Sequence, residues 1–142
     1  MNQHAHLIDL RTMARDAYAF TVPLVTMESF RRRRMGLGPM NHMFHSRKLL
    51  HFKSRHITAP NNDTLYSNAW LDLRHGPAEI SMPETEDRYT SLAVMDMWTD
   101  NVAILGTRTT GGDGGTFTVV GPDASAEGIN GPVVRSTTPV CW

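Results

Sequence analysis

The strongest constraint on the fold is the stretch from Pro60 to Leu73, where turn-forming residues lead directly into an alternating pattern. Pro60 fixes its own φ, and the amide and carboxylate side chains of residues 61–63 can bond their own backbone, so a turn is predicted there. After the turn, small and aliphatic residues alternate with polar and aromatic ones, which is the period of a half-buried strand. One face would carry Leu65, Ser67, Ala69, Leu71 and Leu73, and the other Tyr66, Asn68, Trp70 and Asp72.

The chain continues after this stretch as short strands separated by turns. Turn chemistry occurs at residues 74–77, 100–101 and 111–115. Short strands at such spacing favour a β-sandwich or jelly roll over a βαβ fold. The glycine run at 111–115 lacks the strand–loop–helix context of a phosphate-binding loop. The predicted strands are Leu65–Leu73, Ala78–Ser81, Thr90–Trp98, Val102–Thr107, Phe117–Gly121 and Val133–Ser136.

The N-terminal part of the chain has a helical pattern instead. Apolar residues recur at helical spacing over 7–20, and Pro23 is predicted to kink or end this helix near residues 20–22. A second helix is predicted from Leu24 to about Arg34, before Gly36. One or two N-terminal helices are therefore expected ahead of a mostly β fold.

These patterns predict one domain over residues 1–142, with a helical segment at 1–36, an irregular connection at 37–60 and a β-sandwich at 61–142. Residues 137–142 look like the opening of a further strand that is cut off. A sandwich without its last strands would leave an unpaired edge, which natural proteins usually protect. The sequence therefore predicts a fragment of a two-domain protein, or a homo-oligomer in which a partner completes the sheet.

Composition excludes several classes of partner. Fourteen basic and fourteen acidic side chains balance to a formal charge of zero, so no nucleic-acid partner is expected. No segment has the run of about 18–20 apolar residues that a membrane span needs, so no membrane partner is expected. The first residues lack the basic start and apolar core of a signal peptide, which favours the cytoplasm, with the periplasm after signal removal as the alternative. The single cysteine, Cys141, has no second cysteine for an intramolecular disulfide.

Several motifs in the sequence resemble one bacterial family. The run PNNDTLYSNAWLDL at 60–73 is similar to the hallmark of the domain-of-unknown-function 1254 family. The likeness continues at residues 88–92, 96–101, 106–111, 117–122 and 134–136, so it covers roughly residues 7–140. The resemblance implies a β-sandwich that is commonly followed by a second domain of unknown function. It implies no particular activity.

Carboxylates and aromatic residues recur together on two of the predicted strands. Asp96 and Trp98 share a face of one strand, as Trp70 and Asp72 do on another. If these strands are neighbours, a patch forms that suits carbohydrate or another small-molecule ligand, and paired carboxylates would suit glycoside hydrolysis. The alternative is that the tryptophans belong to the core. The ligand-binding candidates are Asn62, Asp63, Tyr66, Trp70, Asp72, Asp96 and Trp98.

Two other groups of side chains have structural interpretations. His42 and His45 have a spacing that could place two imidazoles on one helix face, but no further metal-ligand pattern accompanies them, so no metal and no cofactor is predicted. The arginines at 31–34 complement the C-terminal end of a helix, where free carbonyls carry partial negative charge.

The preferred function is therefore a β-sandwich module that binds a ligand or partner within a larger chain or oligomer. The alternative is an enzyme, either a hydrolase or a metal-assisted one. It would use Asn62 and Asp63 with Asp96, or the pair His42 and His45. The catalytic residues are not assigned.

Overall fold

The computed structural model describes residues 3–35, 38–54, 59 and 61–142, and inside the N-terminal helix it describes the side chains of residues 9–33. This helix, α1, is continuous over Gln3–Met35 and contains Pro23. The expectation that Pro23 separates two helices is wrong. A proline removes one helical hydrogen bond without necessarily ending the helix, and here tertiary contacts hold the helix on both sides of it. The Phe20 and Trp98 rings lie 5.6 Å apart, and Arg31 donates to the sulfur of Met40 at 3.4 Å.

The described residues after α1 form nine short strands. Their bounds are β1 (Phe44–His45), β2 (Ser67–Asn68), β3 (Leu71–Asp72), β4 (Ala78–Met82), β5 (Ser91–Met95), β6 (Asn101–Gly106), β7 (Gly115–Val120), β8 (Val133–Arg135) and β9 (Val140–Cys141). The pairs β1–β2, β3–β9, β4–β7 and β5–β6 are antiparallel, and β8 adds to β7 in parallel. The fold is therefore mostly β, with one N-terminal helix and several small sheets.

The predicted strand over Leu65–Leu73 is two strands. β2 pairs with β1, whereas β3 pairs with β9, so the backbone changes partner between them. Leu71 and Leu73 are buried with half-buried Asp72 between them, as the alternation predicts, but Leu65 is 61% exposed. β1 lies within the segment predicted as an irregular connection, because a strand this short carries no periodic signal of its own.

The last residues of the chain are paired on both sides. Cys141 of β9 lies opposite Leu71 of β3, and Trp142 exchanges two backbone hydrogen bonds with Met95 at the end of β5. The expectation of an unpaired edge at residues 137–142 is therefore wrong for this strand. Through Trp142 the strands follow one another in the order β3, β9, β5, β6.

A single apolar cluster fills the space between these strands and the sheet of β4, β7 and β8. Its buried members are Leu71, Leu73, Ala78, Ile80, Val94, Leu105, Phe117, Val119, Val134 and Cys141. Full burial of such side chains contributes about 1.5–3 kcal/mol each. Helix α1 lies outside this cluster. Met27, which is 8% exposed, is its one buried described residue, and residues 9–22 of the helix are all exposed.

Candidate functional site

A small pocket opens where the segment after α1 meets β2 and β3. Its volume is about 40 Å³. Since one water needs roughly 10–15 Å³ of such space, the pocket has room for a group of two or three heavy atoms. It is lined by Gly38, Pro39, His42, Phe44, Asn68, Ala69 and Trp70.

Asn41 holds the two walls of this pocket together. Its backbone N–H donates to the carbonyl of Trp70 at 2.8 Å. Its side chain bonds the backbone of Asp72 twice, accepting from the N–H at 2.7 Å and donating to the carbonyl at 3.2 Å. Asn41 has a φ of 57°, a left-handed conformation that asparagine tolerates better than most residues. The pocket is therefore built on hydrogen-bonded backbone.

Trp70 lies in a row of residues that crosses the sheet. The register that pairs Leu71 with Cys141 places Trp70 beside Trp142, and the centroids of the two ring systems are 5.9 Å apart. The backbone of Trp142 in turn pairs with Met95. Trp70 thus lines the pocket and also packs beside Trp142 in the sheet, and its role as a ligand residue stays a prediction.

Asp72 is engaged in a close ion pair. Arg74 donates to its two carboxylate oxygens from Nε at 2.8 Å and from Nη2 at 2.6 Å. The hydrogen bonds from this guanidinium hold the pKa of Asp72 well below its usual value, and they raise the pKa of Arg74.

On α1, Glu28 accepts hydrogen bonds from Arg31 and Arg32, which lower its pKa to about 2.

Asp96 is buried and acts as a local cap for the turn after β5. One carboxylate oxygen accepts from the backbone N–H groups of Trp98 at 2.8 Å and Asp100 at 3.0 Å. The other accepts a short hydrogen bond from the Thr137 hydroxyl. Asp96 as a whole residue is 3% exposed, and these contacts satisfy both of its carboxylate oxygens. This geometry stabilises the turn and leaves Asp96 without an opening to a ligand.

The other predicted ligand residues lie apart from Trp70. Trp98 packs on Phe20 of α1, and its indole nitrogen is buried. Tyr66 is 42% exposed on the approach to β2. Asn62 and Asp63 are exposed in the predicted turn, which is confirmed over residues 61–64 by the Asn61 side chain accepting from the Asp63 N–H at 2.8 Å. Pro60 lies outside the described residues.

A larger, open groove contains Asp63. Its volume is about 940 Å³. Three exposed apolar side chains, Leu49, Leu65 and Tyr89, lie in it together with four carboxylates, and we call it the acidic groove. It is lined by Leu49, Asp63, Thr64, Leu65, Glu84, Thr85, Glu86, Asp87, Arg88, Tyr89 and Thr90.

The two histidines considered as metal ligands have separate surroundings. His42 lines the pocket, and His45 in β1 shares a hydrogen bond of 2.8 Å between Nδ1 and the Ser67 hydroxyl. In the part of the chain that the structure describes, no three His, Cys, Asp or Glu side chains are grouped as a metal site would require. In the same part, no helix is long and apolar enough to span a membrane.

Sequence reasoning missed the residue that organises the pocket. Asn41 bonds Asp72 across 31 positions of the chain, and no local pattern predicts such a partner. Its position before a strand and beside turn-forming residues was the available signal. Trp142 was also missed, because its role depends on pairing with Met95.

The comparisons with known proteins define the family. Residues 40–142 match the DUF1254 family, described as proteins of unknown function. The chain belongs to this family, and the resemblance of its motifs is thereby confirmed. No curated protein matches the chain.

A solved structure also matches. It is the crystal structure of the VPA0106 protein from Vibrio parahaemolyticus, a structural-genomics target, with a TM-score of 0.73 and 28% sequence identity. The match covers 92% of this chain and 31% of that one, so this chain spans about a third of the length of the solved relative.

Proposed function

We propose that this chain is a binding module whose pocket beside Trp70 anchors one group of a carbohydrate or similar polar small molecule. The observation that carries the proposal is the pocket itself, walled by aromatic rings and held by Asn41. About 40 Å³ admits a hydroxyl or hydroxymethyl group and not a whole sugar ring, so the rest of the ligand would lie on the surface.

The lining has the chemistry that such a ligand needs. Phe44 is 46% exposed and Trp70 is half-buried, and aromatic faces of this kind pack on the C–H faces of sugars. The imidazole of His42 can donate or accept a hydrogen bond at the rim. Of the other candidate residues, Asn62, Asp63 and Tyr66 lie on the exposed segment before β2 and remain predictions.

Catalysis has less support. Asp96 was the proposed partner of Asp63 in a hydrolase, but its carboxylate oxygens accept hydrogen bonds from Trp98, Asp100 and Thr137. A general acid or base must reach the proton that it transfers, and a buried cap does not. The hydrolase alternative would then rest on the acidic groove around Asp63.

We further propose that the module is one sandwich-like unit over residues 1–142 that works within a longer chain, since the solved relative is about three times as long. A cytoplasmic location, with the periplasm as the alternative, stays a prediction that cell fractionation tests.

A glycan array with purified protein tests the ligand. We expect specific binding that His42→Ala and Trp70→Ala each weaken at least tenfold, while Phe52→Ala, a change at an 84% exposed aromatic residue outside the pocket, has no effect. His42 is exposed, so its variant separates loss of binding from loss of folding. Equal binding by His42→Ala, Trp70→Ala and the unmodified protein would discard the proposal.

A further inference from the structure

Asn130 is an exposed asparagine in the connection that precedes β8, and the residue after it is a glycine. Both Asn130 and Gly131 are exposed, and neither belongs to a helix or a strand. Asparagine is a thermolabile residue, because its carboxamide can be attacked by the main-chain nitrogen of the residue that follows it. That attack requires the side chain and the nitrogen to approach each other without obstruction.

The two groups that would react have no hydrogen bond holding them apart. Among the residues that the structure describes, none bonds the carboxamide of Asn130, and none accepts from the N–H of Gly131. The next fixed point along the chain is Pro132, whose carbonyl accepts from the N–H of Thr118 at 3.0 Å. The reacting groups therefore lie just before the first bond that fixes β8.

The backbone conformation requires a glycine at position 131. The φ of Gly131 is 97°, which residues with a Cβ rarely adopt. At the place where a Cβ would stand, the nearest atom outside the neighbouring residues is the carbonyl oxygen of Thr116 at 4.0 Å. The geometry that selects glycine here thus also leaves the approach to the side chain of Asn130 open.

Three other asparagines are restrained by the fold. Both polar atoms of the Asn41 carboxamide are bonded to the backbone of Asp72, at 2.7 and 3.2 Å. Asn68 and Asn101 lie in β2 and β6, where strand pairing restricts the backbone. None of the three has the freedom of Asn130.

The two asparagines of the turn before β2 are restrained as well. The carboxamide of Asn61 donates to the Thr64 hydroxyl at 3.0 Å and accepts from the N–H of Asp63 at 2.8 Å. That second bond also occupies the nitrogen that would attack Asn62. Among the described asparagines, Asn130 alone combines a free carboxamide with a following glycine.

We propose that Asn130 is a site of spontaneous covalent modification, at which the carboxamide becomes a carboxylate. The nitrogen of Gly131 loses its proton and bonds to Cγ of Asn130, while the bond from Cγ to the amide nitrogen breaks and ammonia leaves with that proton. Water then opens the resulting succinimide ring at either carbonyl carbon, which gives aspartate or isoaspartate. The net reaction consumes one water and releases one ammonia, and nothing is oxidised or reduced.

Isoaspartate is the product that disturbs the fold. Its main chain runs through the former side chain, so the backbone gains one carbon atom just before Pro132. The parallel pairing of β8 with β7 begins at Val133, and Val134 is a buried member of the core. Since a close-packed core tolerates little displacement, the extra atom strains the attachment of β8. The inference is independent of the ligand proposed for the pocket at Trp70.

Peptide mapping of aged protein tests the proposal. Trypsin, which cleaves after lysine and arginine, releases residues 109–135, whose only asparagine is Asn130, and residues 35–47, whose only asparagine is Asn41. After weeks at mildly alkaline pH, peptide 109–135 should gain one mass unit at least tenfold faster than peptide 35–47. The methyltransferase that labels isoaspartyl carboxylates should label the aged protein, with fresh protein as the control.

Asn130→Gln is the matched variant, because its longer side chain would have to close a larger ring, which forms more slowly. Ageing should leave the mass of its peptide 109–135 unchanged and should remove most of the methyl label. A synthetic peptide of residues 109–135 is the second reference, and Asn130 in the folded protein should react within a few-fold of its rate. A rate more than tenfold lower in the folded protein would overturn the proposal, and so would an undiminished label in Asn130→Gln.

Discussion

Met95 and Trp142 donate their backbone N–H groups to each other's carbonyl oxygens, at 2.7 and 2.9 Å. This reciprocal pair joins β5 to the strand that ends the chain, and it places Trp142 between Met95 and Trp70. Backbone hydrogen bonds thereby connect the β3–β9 pair, which follows Trp70, to the β5–β6 hairpin.

The buried thiol next to this pair should be unreactive in the folded protein. Cys141 is 0% exposed, and desolvation raises its pKa to about 11, so little thiolate is present at pH 8. Ellman's reagent should therefore label less than a tenth of the thiol in native protein within minutes. Complete labelling in denaturant is the control, and rapid labelling without denaturant would contradict the buried position.

Removal of the Asp96 carboxylate should be strongly destabilising. Asp96→Ala leaves the N–H groups of Trp98 and Asp100 and the Thr137 hydroxyl without their acceptor, which should lower the free energy of unfolding by about 2–4 kcal/mol. Urea denaturation measures this. Asp96→Asn keeps one acceptor oxygen and should cost less, so equal stability of the alanine variant and the unmodified protein would refute the capping role.

Acid should weaken the ion pairs that Glu28 makes on α1 and that Asp72 makes with Arg74. The folded-state pKa of Glu28 is lowered from 4.5 to about 2, and that of Asp72 is lowered as well. A lowered pKa in the folded state gives stability that is present above the unfolded value and is lost as the pH falls towards the folded value. The urea concentration at the midpoint of unfolding should therefore decrease as the pH is lowered from about 4.5 to about 2.

Glu28→Gln is the matched control for this pH dependence. It removes the titrating carboxylate while keeping the size of the side chain, so the decline over this range should be shallower than in the unmodified protein. Identical pH profiles for the two proteins would mean that the ion pairs of Glu28 with Arg31 and Arg32 do not stabilise the fold.

The hydrogen bonds of the Asn41 side chain to the backbone of Asp72 should contribute measurably to the stability of the fold. Asn41→Ala removes two hydrogen bonds to the backbone of Asp72 and places alanine at a φ of 57°, so a loss of about 1–3 kcal/mol is expected. Asn41→Gly loses the same bonds but tolerates that φ, and it should lose less. Thermal unfolding distinguishes the two variants. An alanine variant as stable as the unmodified protein would show that the Asn41 hydrogen bonds do not stabilise the fold.

The parts of the fold that the sequence predicts well are those with a strong local signal. Val102–Thr107, Val133–Ser136 and the turn at 61–63 are close to what is observed, because β-forming residues bounded by turn residues need little help from distant partners. The break of the predicted Leu65–Leu73 strand could not be predicted in this way. Its two halves pair with β1 and β9, which lie far from them in the sequence.

The candidate site also contains some residues that the sequence indicated correctly, and it lacks others that the sequence had grouped with them. Residue types drew attention to Trp70 and to His42, and both line the pocket. The same reasoning grouped Asp96 and Trp98 with Trp70 because they share a strand period. In the structure Asp96 caps a turn and Trp98 packs on α1, since side chains on one face of a strand can still have different neighbours.

The sequence by itself determined that an N-terminal helix precedes a series of short strands, and its motifs identified the family. Those features depend on periodicity and turn chemistry, which act over a few neighbouring residues. Only the tertiary structure decided that α1 runs through Pro23, that Trp142 closes the sheet on Met95, and that Asn41 builds the pocket. These outcomes depend on contacts between residues distant in the chain, where packing and hydrogen bonding outweigh local preference.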